Sequence, residues 1–256
     1  MKQVFQKTWE VHSFDILNNQ QLNPVRLVDY LNDTAAHHSE SLGYSMETLF
    51  HKGYSWILLS WNISINRWPR LREIINIETW ISQLKRCFAY REFIIKDHQN
   101  EHIIKASSRW IFYDINRHKP IKIPVELSHL WLIKEVEACS PSIIDAGLLQ
   151  QPDGPNEEQH YLIQEQDIDV LGHVHNSRYI DWILLRKPKI IKEKYSLKHL
   201  QVFYHHEIKY PGEIIVHQNI FPQQNKLEHL IYDQIWDNRN KQRVATEVVT
   251  QWTLDT

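Results

Sequence analysis

Two stretches of this chain read alike: REFIIKDHQNEHIIKASSRWIF at 91–112 and HLIYDQIWDNRNKQRVATEVVTQW at 229–252. Each has an apolar strand, a polar turn led by Asp97 or Asp237, a small residue at Ala106 or Ala245, and a late tryptophan at Trp110 or Trp252. Strand, polar turn and return strand make a hairpin. The elements ahead of the hairpins also match. In the first half a strand is expected within 4–14. Asn23-Pro24 then opens a helix, with Pro24 in its first turn, and Val25, Val28, Leu31 and Ala35 keep helical spacing to about residue 36. Gly43 marks its stop, and strands follow at 56–61, 74–81, 91–96 and 102–113. In the second half a strand at 159–164 precedes a helix opening at His175-Asn176 and carrying Tyr179, Ile180, Trp182, Ile183 and Leu184. Lys187-Pro188 interrupts it, and strands follow at 200–209, 213–221, 227–236 and 243–252. The shared order predicts an α+β fold made twice, each copy a long helix lying on a curved antiparallel sheet. Two copies pairing their sheet edges would form one continuous sheet, a pseudo-dimer without the exposed edge of a single copy. Pro120, Pro124, Pro141, Pro152 and Pro155 read as linker chemistry. The expected organisation is a first domain at 1–125, a linker at 126–155 and a second domain at 156–256.

Composition narrows the classes of function. Over 256 residues, 29 basic and 31 acidic side chains give a net charge of -2, which leaves no electrostatic footprint for nucleic acid. The basic run at 186–194 is short. Cys87 and Cys139 are isolated, so neither a disulfide framework nor a zinc site is expected. The first residues carry no apolar core of signal-peptide length, and no segment approaches the roughly 20 apolar residues that span a bilayer. A soluble, cytoplasmic protein is the expectation.

The stretch richest in chemistry is 166–182, QDIDVLGHVHNSRYIDW. Asp169, Gly172 and His173 fall in a tight loop between a strand and a helix. Asn176 or Ser177 is placed to cap that helix. Its first-turn N–H groups lack partners within the helix and are expected to point back toward the loop. A carboxylate, an imidazole and backbone donors would then share one small volume, and Gly172 would let the backbone approach a ligand closely. His173, His175, His205, His206 and Glu207 contain metal-ligand chemistry, but the helix-based zinc spacings are absent. His37-His38 reads as ordinary helix surface.

This stretch resembles the active-site motif of the plant and bacterial acyl-ACP thioesterases, a family of tandem hotdog proteins with the pattern Asp-x-Asp-x-Asn-x-His-Val-Asn-Asn-x-x-Tyr-x-x-Trp. Asp167, Asp169, His173, Val174, Asn176, Tyr179 and Trp182 match. Downstream, Phe203-Tyr204-His205-His206-Glu207 resembles the family strand Tyr-Arg-Arg-Glu, whose glutamate is catalytic. Ser41-Leu42-Gly43, Trp61, Trp68-Pro69, Glu78-Thr79-Trp80 and the run 91–97 extend the resemblance over the first half. Two positions depart from the pattern. Leu171 stands where the family has a catalytic asparagine, and Ile208 stands where some members have a cysteine, so a cysteine nucleophile is not supported. The spacing of Asp169, Gly172, Val174, Asn176 and Tyr179 also resembles the broader acyl-CoA hotdog thioesterase motif, which does not require asparagine at position 171.

The resemblance implies hydrolysis of a fatty acyl-acyl carrier protein thioester. Asp169, His173 and Glu207 would be catalytic; Gly172, Val174, His175 and Asn176 would line the substrate. Water activated by Glu207 and His173 would attack the carbonyl, helix-start amides would hold the oxyanion, and Asp169 would orient His173 or the water or itself act as base. No cofactor or metal is expected. Tyr179 and Trp182 are expected to pack the helix, and Asp167 to be structural. The first half has no Asp-x-x-x-His before its helix, the corresponding run being read as Leu22-Asn23-Pro24-Val25. One active site per chain is therefore expected, with the first half binding the acyl chain through residues such as Val28 and Leu31. Expected partners are an acyl carrier protein or a CoA thioester, with homodimerisation allowed and no nucleic acid or membrane span. Arg178, Arg186, Lys187 and Lys189 are the expected basic rim for an acidic carrier. The alternatives are an acyl-CoA thioesterase on the same fold and a non-hydrolytic acyl-binding protein.

Overall fold

A computed structural model describes residues 4–131, 133–139, 157–169, 172–221, 227–239 and 243–255. The chain divides into two compact units, Met1–Ser140 and Pro141–Thr256. In the first unit, β1 (Phe5–Glu10) leads to α1 (Pro24–Ser41) and α2 (Met46–His51). Then come β2 (Tyr54–Ile65), β3 (Ile74–Lys85), β4 (Phe88–Lys96), β5 (His102–Asp114), the two-residue β6 (Lys119–Pro120) and α3 (Val125–Ser128). In the second unit, β7 (Glu157–Leu162) precedes α4 (Asn176–Arg186) and α5 (Lys189–Lys194). β8 (Tyr195–Tyr204), β9 (Glu213–Phe221), β10 (Glu228–Asp237) and β11 (Val244–Leu254) complete it. Strand order is β1-β3-β4-β5-β2 in the first unit and β7-β9-β10-β11-β8 in the second, with antiparallel neighbours. The two topologies are the same, as the paired hairpins predict.

Local chemistry explains the element ends. Asn23 accepts from the N–H of Val25 at 2.9 Å, and Pro24 occupies the first helical position of α1, where its missing N–H costs nothing. The helix runs to Ser41, past the expected end near residue 36, because its last turn is held by His38 rather than by aliphatic residues. His38 is buried, not surface. It stacks on Phe5 with ring centroids 5.3 Å apart and lies 3.0 Å from Arg91 Nη1. Gly43, at φ +83°, ends the run and donates to the Glu40 carbonyl. The short helix α2 carries too little sequence to show a period. Several strands exceed their apolar windows because register shifts at Leu58/Ser60 and Ile81/Gln83 break the alternation that marks a strand.

The buried core of the first unit includes Leu27, Val28 and Leu31 of α1 and Trp61, Ile63, Ile77 and Phe93 of the sheet. The expected cavity residues Val28 and Leu31 are fully buried in it. A second cluster joins Leu49, Ile81, Phe112, Ile123, Leu127 and Trp131. Leu127 and Trp131 fall inside the span read as linker. Prolines end regular structure without ending packing, and this stretch lies against the sheet. Trp80 donates its indole N–H to the Val136 carbonyl at 2.8 Å, and the buried carboxylate of Glu92 receives the Ala138 N–H at 3.0 Å. Pro141, Pro152 and Pro155 lie outside the described residues.

In the second unit α4 sets Ile180, Ile183, Tyr179 and Trp182 on the sheet, the aromatic pair packing as expected. Lys187, at its C-terminal end, is wholly buried against Asp233, which also receives Gln218 Nε2 at 2.9 Å. Burial lowers the lysine pKa while the Asp233 charge raises it. Such a pair holds position more than it adds net stability. Among the described residues no helix is long and apolar enough to cross a membrane.

Two buried histidines make stability pH-dependent. Burial draws His38 down to about 3, helped by Arg91, and draws His199 down to about 4. Both stay neutral when folded and protonate near 6.5 when unfolded, so the unfolded state binds more protons between these values. Stability therefore falls as pH drops from 6.5 toward 4, by about 1.4 kcal/mol per pH unit for each histidine. Denaturant titrations across that range should show the decline, and His38→Gln should make it shallower.

Candidate active site

A buried aspartate builds the loop ahead of α4. Asp167 is 2% exposed. Its carboxylate receives the Gln164 N–H at 2.9 Å and Arg178 Nε at 2.7 Å, while its carbonyl receives the His175 N–H at 2.8 Å. The structural role expected for it follows from these contacts. Ile168 and Val174 then pair across a narrow loop. Inside it the Asp169 N–H donates to the His173 carbonyl at 2.8 Å, Gly172 N–H to the Asp169 carbonyl at 3.0 Å, and His173 N–H to Asp169 Oδ1 at 3.1 Å. Gly172 sits at φ +79° with nothing within 4 Å of a built Cβ, so glycine answers a backbone requirement rather than crowding. Val170 and Leu171 lie outside the described residues.

This frame brings His173 to Glu207. Their Nε2 and Oε2 atoms are 3.1 Å apart, with side chains 24% and 44% exposed. Glu207 is not on a strand, as its motif suggests. β8 ends at Tyr204, where the ladder to β11 ends at Thr246. Beyond it the N–H groups of His205 and His206 share the Ala245 carbonyl. The chain then folds back against the loop. Val174 N–H donates to the Ile208 carbonyl at 2.9 Å, His173 pairs with Lys209, and Ile208 N–H donates to Tyr179 Oη at 3.3 Å.

The other expected site residues take several places. Val174 is buried. His175, not Asn176 or Ser177, caps α4, its Nδ1 receiving the Ser177 N–H at 3.4 Å and lying 2.9 Å from Ser177 Oγ. Asn176 is the first helical residue, and its carbonyl receives Tyr204 Oη at 2.9 Å. The expected row of unpaired helix-start donors is largely used: Gly172, His173, Val174, His175, Ser177 and Arg178 all donate within this loop or to its neighbours. The expected basic rim also differs. Arg178 binds Asp167 and Asp181. Arg186 is buried and donates to the Val216 carbonyl, and Lys187 is buried on Asp233. Of the four, Lys189 is exposed, facing Glu193 at 3.5 Å. Among the described residues no group of three or more His, Cys, Asp or Glu is arranged for a metal ion.

The first unit repeats this backbone with other side chains. Asp15 is buried, receives the His12 N–H at 3.0 Å and Tyr30 Oη at 2.7 Å, and gives its carbonyl to Asn23 N–H. Ile16 pairs with Leu22, Leu17 N–H donates to the Gln21 carbonyl, and Gln20 takes φ +61° where Gly172 stands in the second loop. Leu22 N–H donates to the Pro69 carbonyl and Gln21 pairs with Arg70. The counterparts of Asp169, His173 and Glu207 are therefore Leu17, Gln21 and Trp68, not the run Leu22–Val25. The repeat was present in the sequence as an aspartate, a capping residue eight positions later, an arginine and a second acid: Asp15, Asn23, Arg26, Asp29 and Asp167, His175, Arg178, Asp181.

Because the buried Asp167 carboxylate accepts the Gln164 N–H and Arg178 Nε, Asp167→Ala should cost about 1–3 kcal/mol. Urea unfolding should record that loss, with a larger loss of protection from hydrogen exchange in 164–178 than in β9–β11.

The family model for the acyl-ACP thioesterase N-terminal domain matches residues 2–131, and that for the C-terminal domain matches residues 150–254. A chloroplastic acyl-[acyl-carrier-protein] hydrolase of Cuphea viscosissima is 24% identical over 222 residues, covering 80% of this chain and 52% of that protein. Oleoyl-acyl carrier protein thioesterase 1 of Arabidopsis thaliana is 22% identical over 217 residues, covering 79% and 60%. The chain thus spans about half the length of the curated relatives it matches. Among solved structures, a putative oleoyl thioesterase from Lactobacillus plantarum aligns with a TM-score of 0.89 at 24% identity, covering 99% of this chain and 97% of that one. The 12:0-ACP thioesterase from Umbellularia californica aligns at 0.86 and 16% identity, covering 99% and 95%. The α+β architecture of two hotdog units is the fold they share with this protein. The chain belongs to the acyl-ACP thioesterase family, its first unit carrying the N-terminal domain of that family and its second the C-terminal domain.

Proposed function

We propose that this protein hydrolyses the thioester of a fatty acyl-acyl carrier protein, releasing free fatty acid and so ending acyl-chain elongation. The supporting observation is the Nε2–Oε2 approach of 3.1 Å between His173 and Glu207, on a loop frame whose first-unit copy has no such pair. In this reading the Glu207 carboxylate, oriented by the imidazole, takes a proton from a water molecule. The water oxygen bonds to the thioester carbonyl carbon. The tetrahedral intermediate then collapses, the C–S bond breaks, and the proton passes to the departing thiolate. A positioned base contributes typically ~10²–10⁴-fold.

Asp169 acts through the main chain of His173, whose N–H donates to its carboxylate, and so sets the loop. The oxyanion needs a donor at the helix start. The contact from Ser177 N–H to His175 Nδ1 is long, at 3.4 Å, so this donor is the one most easily yielded to a carbonyl oxygen. His175 lies at that point, and Gly172, Val174 and Asn176 belong to the same loop and helix start. The division expected from sequence, catalysis in the second unit and acyl-chain binding in the first, belongs to the same proposal. Leu17 and Trp68 support it by removing the reacting groups from the first loop.

One observation favours acyl-CoA as the substrate instead. Arg178, Arg186 and Lys187 are engaged within the protein and so offer an acidic carrier little free charge.

Glu207→Gln should lower kcat by ~10²–10⁴-fold with an unchanged circular dichroism spectrum; wild-type turnover in that variant would remove Glu207 from the chemistry. Thiol release from acyl-ACP and acyl-CoA of matched chain length should favour the carrier protein. Equal or faster CoA turnover would overturn that substrate assignment.

A further inference from the structure

The segment carrying Glu207 is fastened at both ends. At the far end the Ile208 carbonyl accepts the Val174 N–H, the Ile208 N–H donates to the Tyr179 hydroxyl, and Lys209 pairs with His173. At the near end the N–H groups of His205 and His206 share the Ala245 carbonyl, and the side chain of His205 adds a second hold. Alternation along β8 turns Tyr204 toward α4, where its hydroxyl meets the Asn176 carbonyl, and so sends His205 to the opposite face. Glu247 lies on that face as the cross-strand partner of Phe203. His205 Nε2 is 2.7 Å from Glu247 Oε2. Glu247 also receives the Tyr232 hydroxyl, and that hydroxyl in turn receives Gln234 Nε2 at 2.8 Å. The Glu247 carboxyl is held below its ordinary range, chiefly by the hydrogen bond from His205. Among the described residues the side chain of Glu207 has His173 as its partner. Its aim therefore depends on where the segment leaves the sheet.

We infer that His205, anchored by Glu247, is a positioning residue that sets the exit of the chain from β8 so that Glu207 meets His173. This rests on thioester hydrolysis as the reaction. His205 touches neither water nor thioester in this assignment. It acts through the backbone it shares with Glu207, and Glu247, Tyr232 and Gln234 form the rigid support behind it. A second imidazole–carboxylate pair two residues from the first thus has a mechanical role. A displacement of about 1 Å at a reacting group can cost on the order of 10²-fold in rate, so a fastening of this kind is felt in turnover without touching substrate.

The test uses the full chain with His205→Ala and His205→Gln, the latter keeping a side-chain donor for Glu247. His205→Ala should lower kcat by ~10–100-fold and leave KM within about twofold. His205→Gln should restore most of the loss. Amide exchange in 204–209 should quicken in His205→Ala and return in His205→Gln, while β10 and β11 keep their protection. Unchanged kcat in His205→Ala would overturn the inference, as would a loss that His205→Gln does not recover. The exchange measurement, with a crystal structure of His205→Ala, needs no turnover. If the wild-type protein releases no thiol from any acyl thioester, the hydrolase reading fails. The positioning claim then stands or falls on whether Glu207 has moved out of hydrogen-bond range of His173.

Discussion

A buried carboxylate ahead of each central helix is the constraint on which the rest of this protein depends. Asp15 and Asp167 are both 2% exposed, and a charge so placed is tolerated only when donors surround it. Meeting that requirement fixes the path of the chain. The donors are backbone N–H groups, an arginine or a tyrosine, and their geometry closes the following loop onto itself. In the second unit that closure delivers His173 to the segment 207–209, whose backbone completes the pairing. His173 and Glu207 are therefore not held by one another alone. A frame that exists equally in the first unit, without them, holds them.

The same logic governs the cations. Arg178 balances Asp167 and Asp181, Arg186 is spent on a carbonyl of β9, and Lys187 neutralises Asp233 in the interior. Counting charges along 178–189 suggests a basic surface, but long cationic side chains on a short helix reach down as readily as out. Arg186 and Lys187 join α4 to its sheet, and Arg178 joins it to the loop before it. The result is a helix whose position is well determined and whose outward face carries less positive charge than its composition implies.

The fold class, the duplication, the helix start at Pro24 and the pairing of His173 with Glu207 were legible in the sequence. Each rests on a short-range rule or on a resemblance carried by several spaced residues. The extension of α1 to Ser41 was not legible, because His38 is a core residue only in the presence of Phe5 and Arg91. Nor was the packing of Leu127 and Trp131, since prolines nearby signal the end of strands and not the end of burial. The true counterpart of the 167–175 loop in the first half was legible but hidden. The shared pattern lies in the supporting residues Asp15, Asn23, Arg26 and Asp29, whereas the eye follows the reactive ones, which that half has replaced with Leu17, Gln21 and Trp68.

By itself, the order of residues determined which groups could react, that the architecture is made twice, and that one copy alone keeps the aspartate, the histidine and the glutamate. Periodicity and motif spacing are local quantities, and they survive being read along a line. Tertiary structure decided that Glu207 sits beyond a strand rather than on it. It also decided that His175 caps the helix, that most helix-start donors are already engaged, and that the cations expected on a rim are buried or paired. Those outcomes depend on which distant group occupies each hydrogen-bonding direction, a competition settled only when the whole chain has packed.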